Sequence, residues 1–239
     1  MQGWTGALAG LALIFLAPGA QAQAPEATAP PQVTVEAGRL EGEATDRAVI
    51  FRNIPYAAPP VGALRWAPPA PAAPWTGLRQ AVAAGPSCPQ PMRADGAPND
   101  GGANGPMSED CLQLNVYAPL GAPKDAPVMV WIHGGGHRTG ADWVFDGQAF
   151  ARDGVVLVTL NYRLGALGYF AHPALTRAAG ARAPLGNYGL MDQMAALRWV
   201  QRNIAAFGGD PGNVTVFGEA AGGASTLALL ATPGAQGLF

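Results

Sequence analysis

The chain has 239 residues, a formal net charge of −2 and charged side chains at only 13% of positions. That share is about half of what a soluble domain usually carries, and the balance of signs excludes a basic nucleic-acid surface and an acidic disordered tail. The length points to one domain, and 33 glycines and 23 prolines set between apolar runs point to a loop-rich globular chain.

The first predicted element is a leader. Ala7 to Ala17 is an apolar core too short to span a bilayer, and Ala20-Gln21-Ala22 has the A-x-A form of a secretory cleavage site. Residues 1–22 are expected to be a signal peptide, although residues 1–6 carry no Lys or Arg. The mature chain is expected to be exported, periplasmic or secreted, without a stable membrane anchor. Residues 23–32, rich in Ala and Pro, read as a short extended tether, and 33–239 as the domain.

Gln32 to Val35, Ala48 to Phe51 and Leu114 to Tyr117 read as short strands. Val128 to Ile132, Val155 to Leu160 and Val214 to Phe217 are continuous apolar runs bounded by turn residues, which suit strands buried on both faces of a parallel sheet. Between the last two, Leu190, Met194, Leu197, Val200 and Ile204 recur at helical spacing over Leu190 to Ala206. Gly208-Gly209 is expected to end that helix and Pro211 to prevent its return. Strand, helix, strand is the crossover unit of a doubly wound α/β sheet.

After Val214 to Phe217 comes Gly218-Glu219-Ala220-Ala221-Gly222-Gly223. This is the frame of a nucleophile elbow, G-x-S-x-G, a sharp strand-to-helix turn that presents its middle side chain at the top of an α/β-hydrolase sheet. Ala220 stands in the serine position. A methyl group cannot attack a carbonyl.

Six segments in order resemble the type-B carboxylesterase family: Phe51 to Trp66, Ser87-Cys-Pro-Gln90, Ser108 to Tyr117, Pro127 to Gly136, Asn161-Tyr-Arg-Leu-Gly165, and Gly186 to Gln193 running through Phe207-Gly-Gly-Asp-Pro211 into the elbow. The hormone-sensitive-lipase-like group shares the His133-Gly-Gly-Gly136 loop and the elbow, but not the paired cysteines or the Phe51 to Trp66 segment. The resemblance implies an α/β-hydrolase fold, hydrolysis of small carboxylic esters through an acyl-serine, no cofactor and no metal. It also implies that the triad's acid and histidine lie downstream of the elbow. The chain ends at Phe239, so both are expected to lie outside it, the sheet to be cut after the elbow helix, and the elbow strand to form an exposed, poorly soluble edge.

By the same resemblance, Gly135, Gly136 and Ala221 supply the N–H groups of an oxyanion hole. Glu219 is the acid beside the nucleophile position. Arg163 with Asp192 and Arg65 with Glu109 are structural ion pairs, and Cys88 joins Cys111. An exported chain sits where a thiol pair usually closes, and a loop of this length adds roughly 3 kcal/mol in the chain-entropy account. His133 is read as a loop-shaping residue, His137 as a rim residue and His172 as a surface turn residue. Ser225 is read as a helix serine bonded back to a carbonyl. Trp143 and Phe145 are placed either at the mouth of the site or in packing. The loop between the cysteines lacks a tryptophan for a quaternary ammonium, which argues against choline esters. Losing the serine of a triad costs on the order of a millionfold in turnover, so the chain as written is expected to be inactive. The alternatives are a non-catalytic binding or adhesion-type relative and a non-functional gene fragment.

Overall fold

The computed structural model describes residues 1–3, 29–121, 123–180 and 186–239. The leader core and cleavage motif expected over 7–22 lie outside the described residues, as do residues 23–28 of the expected tether. Its last residue, Gln32, already opens a strand.

That strand, β1 (Gln32–Val35), pairs antiparallel with β2 (Gly38–Glu41). β3 (Glu43–Ala44) and β4 (Val49–Pro55) begin a second sheet, and β5 (Leu78–Gln80) returns to β2 in parallel. β6 (Gln113–Ala118), β7 (Ala126–Ile132), β8 (Val156–Leu160) and β9 (Gly209–Gly218) complete the larger sheet, whose order is β3-β4-β6-β8-β7-β9. Its N-terminal strands pair antiparallel, while β8, β7 and β9 run parallel.

β6 and β8 are buried at every residue. A fully buried leucine such as Leu160 contributes about 1.5–3 kcal/mol relative to exposure. β7 and β9, expected to be covered on both faces, differ from that expectation. Val128, Val130 and Ile132 are buried, whereas Met129 and Trp131 are only half-buried, and β9 alternates between buried and exposed. The reason is the second face. There Met129, Trp131, Phe150 and Phe217 pack into a small cluster beside the short α1 (Gln148–Arg152), too little material to cover it.

Two short helices follow β8: α2 (Gly165–Gly168) and α3 (Pro173–Ala179), the latter capped by His172 Nδ1 accepting from the Ala174 N–H at 3.2 Å. The crossover helix α4 (Tyr188–Asn203) buries Ala196, Leu197 and Val200. β8 and β9 both pair with β7, so the crossover carried by α4 places them on opposite sides of it. The helix ends in a 3-10 turn, Ile204–Phe207, and the left-handed Gly208 (φ 84°). Gly209 and Pro211, expected to be turn residues, instead lie in β9. The register jumps from Ala126↔Gly209 to Val128↔Val214, so residues 210–213 bulge from the ladder. Among the described residues β9 is an edge strand, where a proline removes no ladder hydrogen bond from a neighbour. The elbow leads into α5 (Ala221–Ala231), which exposes Leu227 and Leu230. No described helix is long and apolar enough to cross a membrane.

Candidate active site at the elbow

β9 enters the elbow with Ala220 at φ 51° and ψ −114°, a conformation non-glycine residues rarely adopt. The turn is tight enough that a Cβ on Gly222 would strike the carbonyl oxygen of Ile132, the last residue of the adjacent β7. This is the close approach that requires glycine there. Ala220 and Glu219 are both exposed at the top of the sheet. The Glu219 carbonyl accepts from the Gly222 N–H at 2.8 Å.

The loop after β7 faces this turn. Gly135 has φ 92° and could not carry a Cβ without meeting the Thr139 carbonyl. None of the N–H groups of Gly135, Gly136 and Ala221 donates to another described residue, whereas those of Gly222 and Ala224, next along the elbow helix, do. Two of these donors, Gly135 and Gly136, line a cleft of about 540 Å³ together with Arg138, Glu219 and Ala220, and Ala221 follows Ala220 directly. Met92, Arg93 and Asn99, from the loop between the cysteines, form its other wall.

Several side chains brace the loop. Tyr162 donates to the His133 carbonyl at 2.7 Å, and Asn161 Oδ1 accepts from the Asp142 N–H at 2.8 Å. Gln90 and Gly140 exchange two bonds of 2.8 Å each, tying the loop to the cysteine segment. Cys88 and Cys111 are joined by a disulfide. Arg163 makes a bidentate pair with Asp192 at 2.8 Å and also donates to the Ala67 carbonyl. The Arg163 and Asp192 side chains are only 3% and 0% exposed. Arg65 and Glu109 pair through two bonds of 2.6 Å while remaining 39% and 27% exposed.

His133 is buried and stacked on Tyr162 with ring centroids 4.5 Å apart. Its Nδ1–H donates to the Gly134 carbonyl at 2.9 Å, Nε2 has no partner, and burial pushes its pKa down to about 4. Trp143 donates to Ser87 Oγ at 3.0 Å and Phe145 packs on Trp131 at 4.8 Å, so packing rather than the cleft mouth claims both.

Two expectations are corrected. Ser225 is not bonded back to a helix carbonyl: its buried Oγ accepts from Gln193 Nε2 at 3.1 Å and stands 2.9 Å from His137 Nε2. It is Thr226 that bonds back, to the Gly222 carbonyl. His137 is accordingly more than a rim residue: it is half-buried, packed at a tilt against Tyr169 with centroids 4.9 Å apart, and linked to α5. Asp142 was not read from the sequence at all. Its side chain is fully buried, neither carboxylate oxygen has a partner, and burial raises its pKa well above the carboxylate range. Nothing local distinguishes it from a surface aspartate. Among the described residues no three His, Cys, Asp or Glu side chains converge as a metal site.

The chain is similar over most of its length to known esterases. The fumonisin B1 esterase of Sphingopyxis macrogoltabida is 46% identical over 207 residues, covering 85% of this chain and 37% of that protein. The para-nitrobenzyl esterase of Bacillus subtilis is 47% identical over 215 residues, covering 87% and 42%. A solved structure of a thermophilic PNB esterase superposes with a TM-score of 0.80 at 45% identity, covering 88% of this chain and 43% of that one. The chain thus spans about 40% of the length of these relatives. The pattern of the Carboxylesterase family matches residues 29–239, and the chain belongs to that family, with an α/β-hydrolase fold.

Proposed function

We propose that this chain carries the oxyanion-binding half of a carboxylic ester hydrolase site and, as written, holds a small ester without turning it over. The observation that carries this reading is the elbow itself. The turn keeps its strained geometry around Ala220, and the three N–H groups of Gly135, Gly136 and Ala221 are left without acceptors beside it. Donors aimed at the site of developing charge stabilise the oxyanion of acyl transfer. Without a nucleophile, what remains of such a site is worth at most about a thousandfold to ten-thousandfold over water. Glu219 adjoins the nucleophile position, and the two ion pairs hold the surrounding loops. The disulfide and the A-x-A motif support an exported, periplasmic or secreted protein. The alanine itself favours a non-catalytic binding relative as the second reading.

The test uses the ¹⁵N-labelled chain with methyl butyrate for binding and p-nitrophenyl acetate for turnover. The expected result is shifts at the Gly135, Gly136 and Ala221 amides, with p-nitrophenol release at background. A burst of p-nitrophenol overturns the inactive reading. Absence of shifts at all three amides overturns the site.

A further inference from the structure

The two backbone segments that carry the candidate donors are bridged by one side chain. His137 directly follows Gly136, and its Nε2 stands 2.9 Å from Ser225 Oγ, one helical turn beyond Ala221 on α5. Ser225 Oγ in turn accepts from Gln193 Nε2 of α4 at 3.1 Å, while Gln193 Oε1 is buried without a partner. The His137 backbone is itself unusual, at φ 56°, and its carbonyl accepts from the Gly165 N–H at 2.7 Å. The residue is therefore held at three points: the ring by Ser225 of α5 and by a tilted contact with Tyr169, and the backbone carbonyl by Gly165 of α2.

We infer that His137 is a positioning residue whose bond to Ser225 keeps the Gly135–Gly136 loop in register with Ala221, and that the direction of this bond depends on the charge of His137. This rests on the oxyanion reading for its consequence, but not for its geometry.

The protons can be followed. In the neutral Nδ1–H tautomer of His137, Ser225 Oγ, which accepts from Gln193 Nε2–H, donates its own proton to Nε2. When His137 takes up a proton, Nε2 becomes a donor. It then gives its hydrogen to Ser225 Oγ. The Ser225 proton must then turn away from Nε2. The switch thus rearranges bonds on both donor-bearing segments at once. Among the described residues, the titratable groups facing His137 are Tyr162, Tyr169 and His133, none of them charged at neutral pH. Burial accordingly lowers the pKa of His137.

The experiment is an NMR titration of the ¹⁵N-labelled chain from pH 8 to pH 4 without ligand, following the His137 ring nitrogens and the Gly135, Gly136 and Ala221 amides. The three amides are expected to move with the same midpoint as His137, below the ordinary imidazole value of about 6.5. In Ser225→Ala the bond from His137 to α5 is gone, so the glycine amides are expected to stop following the His137 titration. His133 also titrates, near 4. His137→Phe separates the two: the amide response tied to His137 should vanish. Glycine amides that stay still while His137 titrates overturn the inference, as does an unchanged response in His137→Phe or in Ser225→Ala. If one variant fails to fold, the unaltered chain and the other variant still decide. Because no ester is present, failure here is distinct from failure of the ester-binding reading, which the methyl butyrate shifts judge at fixed pH.

Discussion

Two arginine–carboxylate pairs brace the loops around the elbow, with nearly the same bidentate geometry and very different surroundings. Arg163–Asp192 joins the loop after β8 to α4 in the interior, and Arg65–Glu109 joins two loops at the surface. The contrast teaches that hydrogen-bond geometry alone does not set the weight of an ion pair. Water screens and replaces the surface pair, so such a pair is worth little. In the interior, removing one partner strands a charge that water cannot reach.

The largest test of that contrast is Arg163→Ala. It leaves Asp192 buried beside unmet bonds and is expected to cost about 3–5 kcal/mol, read as a lowered denaturant midpoint. The next test concerns a buried titratable group with no counter-ion. The His133 imidazole titrates near 4 in the folded protein, against about 6.5 in the unfolded chain. Below pH 6.5 the unfolded chain takes up a proton that the folded one refuses. Stability is therefore fully present above about 6.5, falls by about 1.4 kcal/mol per pH unit down to about 4, and then levels, for a total of roughly 3 kcal/mol. His133→Phe is expected to keep the stack on Tyr162 and flatten that slope. Chemical denaturation of both proteins at pH 4, 5, 6 and 7 measures the difference, and parallel slopes would refute it.

A smaller effect is expected at the elbow, where the tension is in the backbone and not in charge. Ala220→Gly removes a side chain from φ 51°, ψ −114° and should raise stability by about 1 kcal/mol. A lowered thermal midpoint would show that the methyl packs usefully. The smallest effect belongs to the surface pair: Arg65→Ala should leave the thermal midpoint where it is. A drop comparable to that of Arg163→Ala would erase the comparison.

How much was legible follows the range of each interaction. The runs Val128 to Ile132 and Val155 to Leu160 matched strands to within about two residues, because a buried strand needs an unbroken apolar run whatever its partners. The stripe from Leu190 to Ile204 matched α4 and its closing 3-10 turn for the same local reason. β2, β3 and β5 were missed, being two to four residues long and carrying no periodic signal. The start of β9 at Gly209 was missed too: pairing with Ala126 holds Gly209 in the ladder against its own turn preference. In the candidate site, Ala220 stood out through the spacing of glycines around a turn, and Gly135, Gly136, Glu219 and Ala221 through the resemblance of their segments to the family. The His137–Ser225 bond spans 88 positions and left no such trace.

The sequence by itself determined six of the nine described strands and the crossover helix, the elbow frame with its missing hydroxyl, and membership of a family whose motifs recur in order. These rest on local periodicity, on glycines at tight turns and on residue types, all carried by neighbouring positions. Only the tertiary structure decided which strand faces are left thinly covered, that Asp142 is buried without a partner, that Arg163–Asp192 is interior while Arg65–Glu109 is not, and that Ser225 bonds to His137 and Gln193. Burial and long-range hydrogen bonding depend on which distant segments come together, and no single stretch of chain records that.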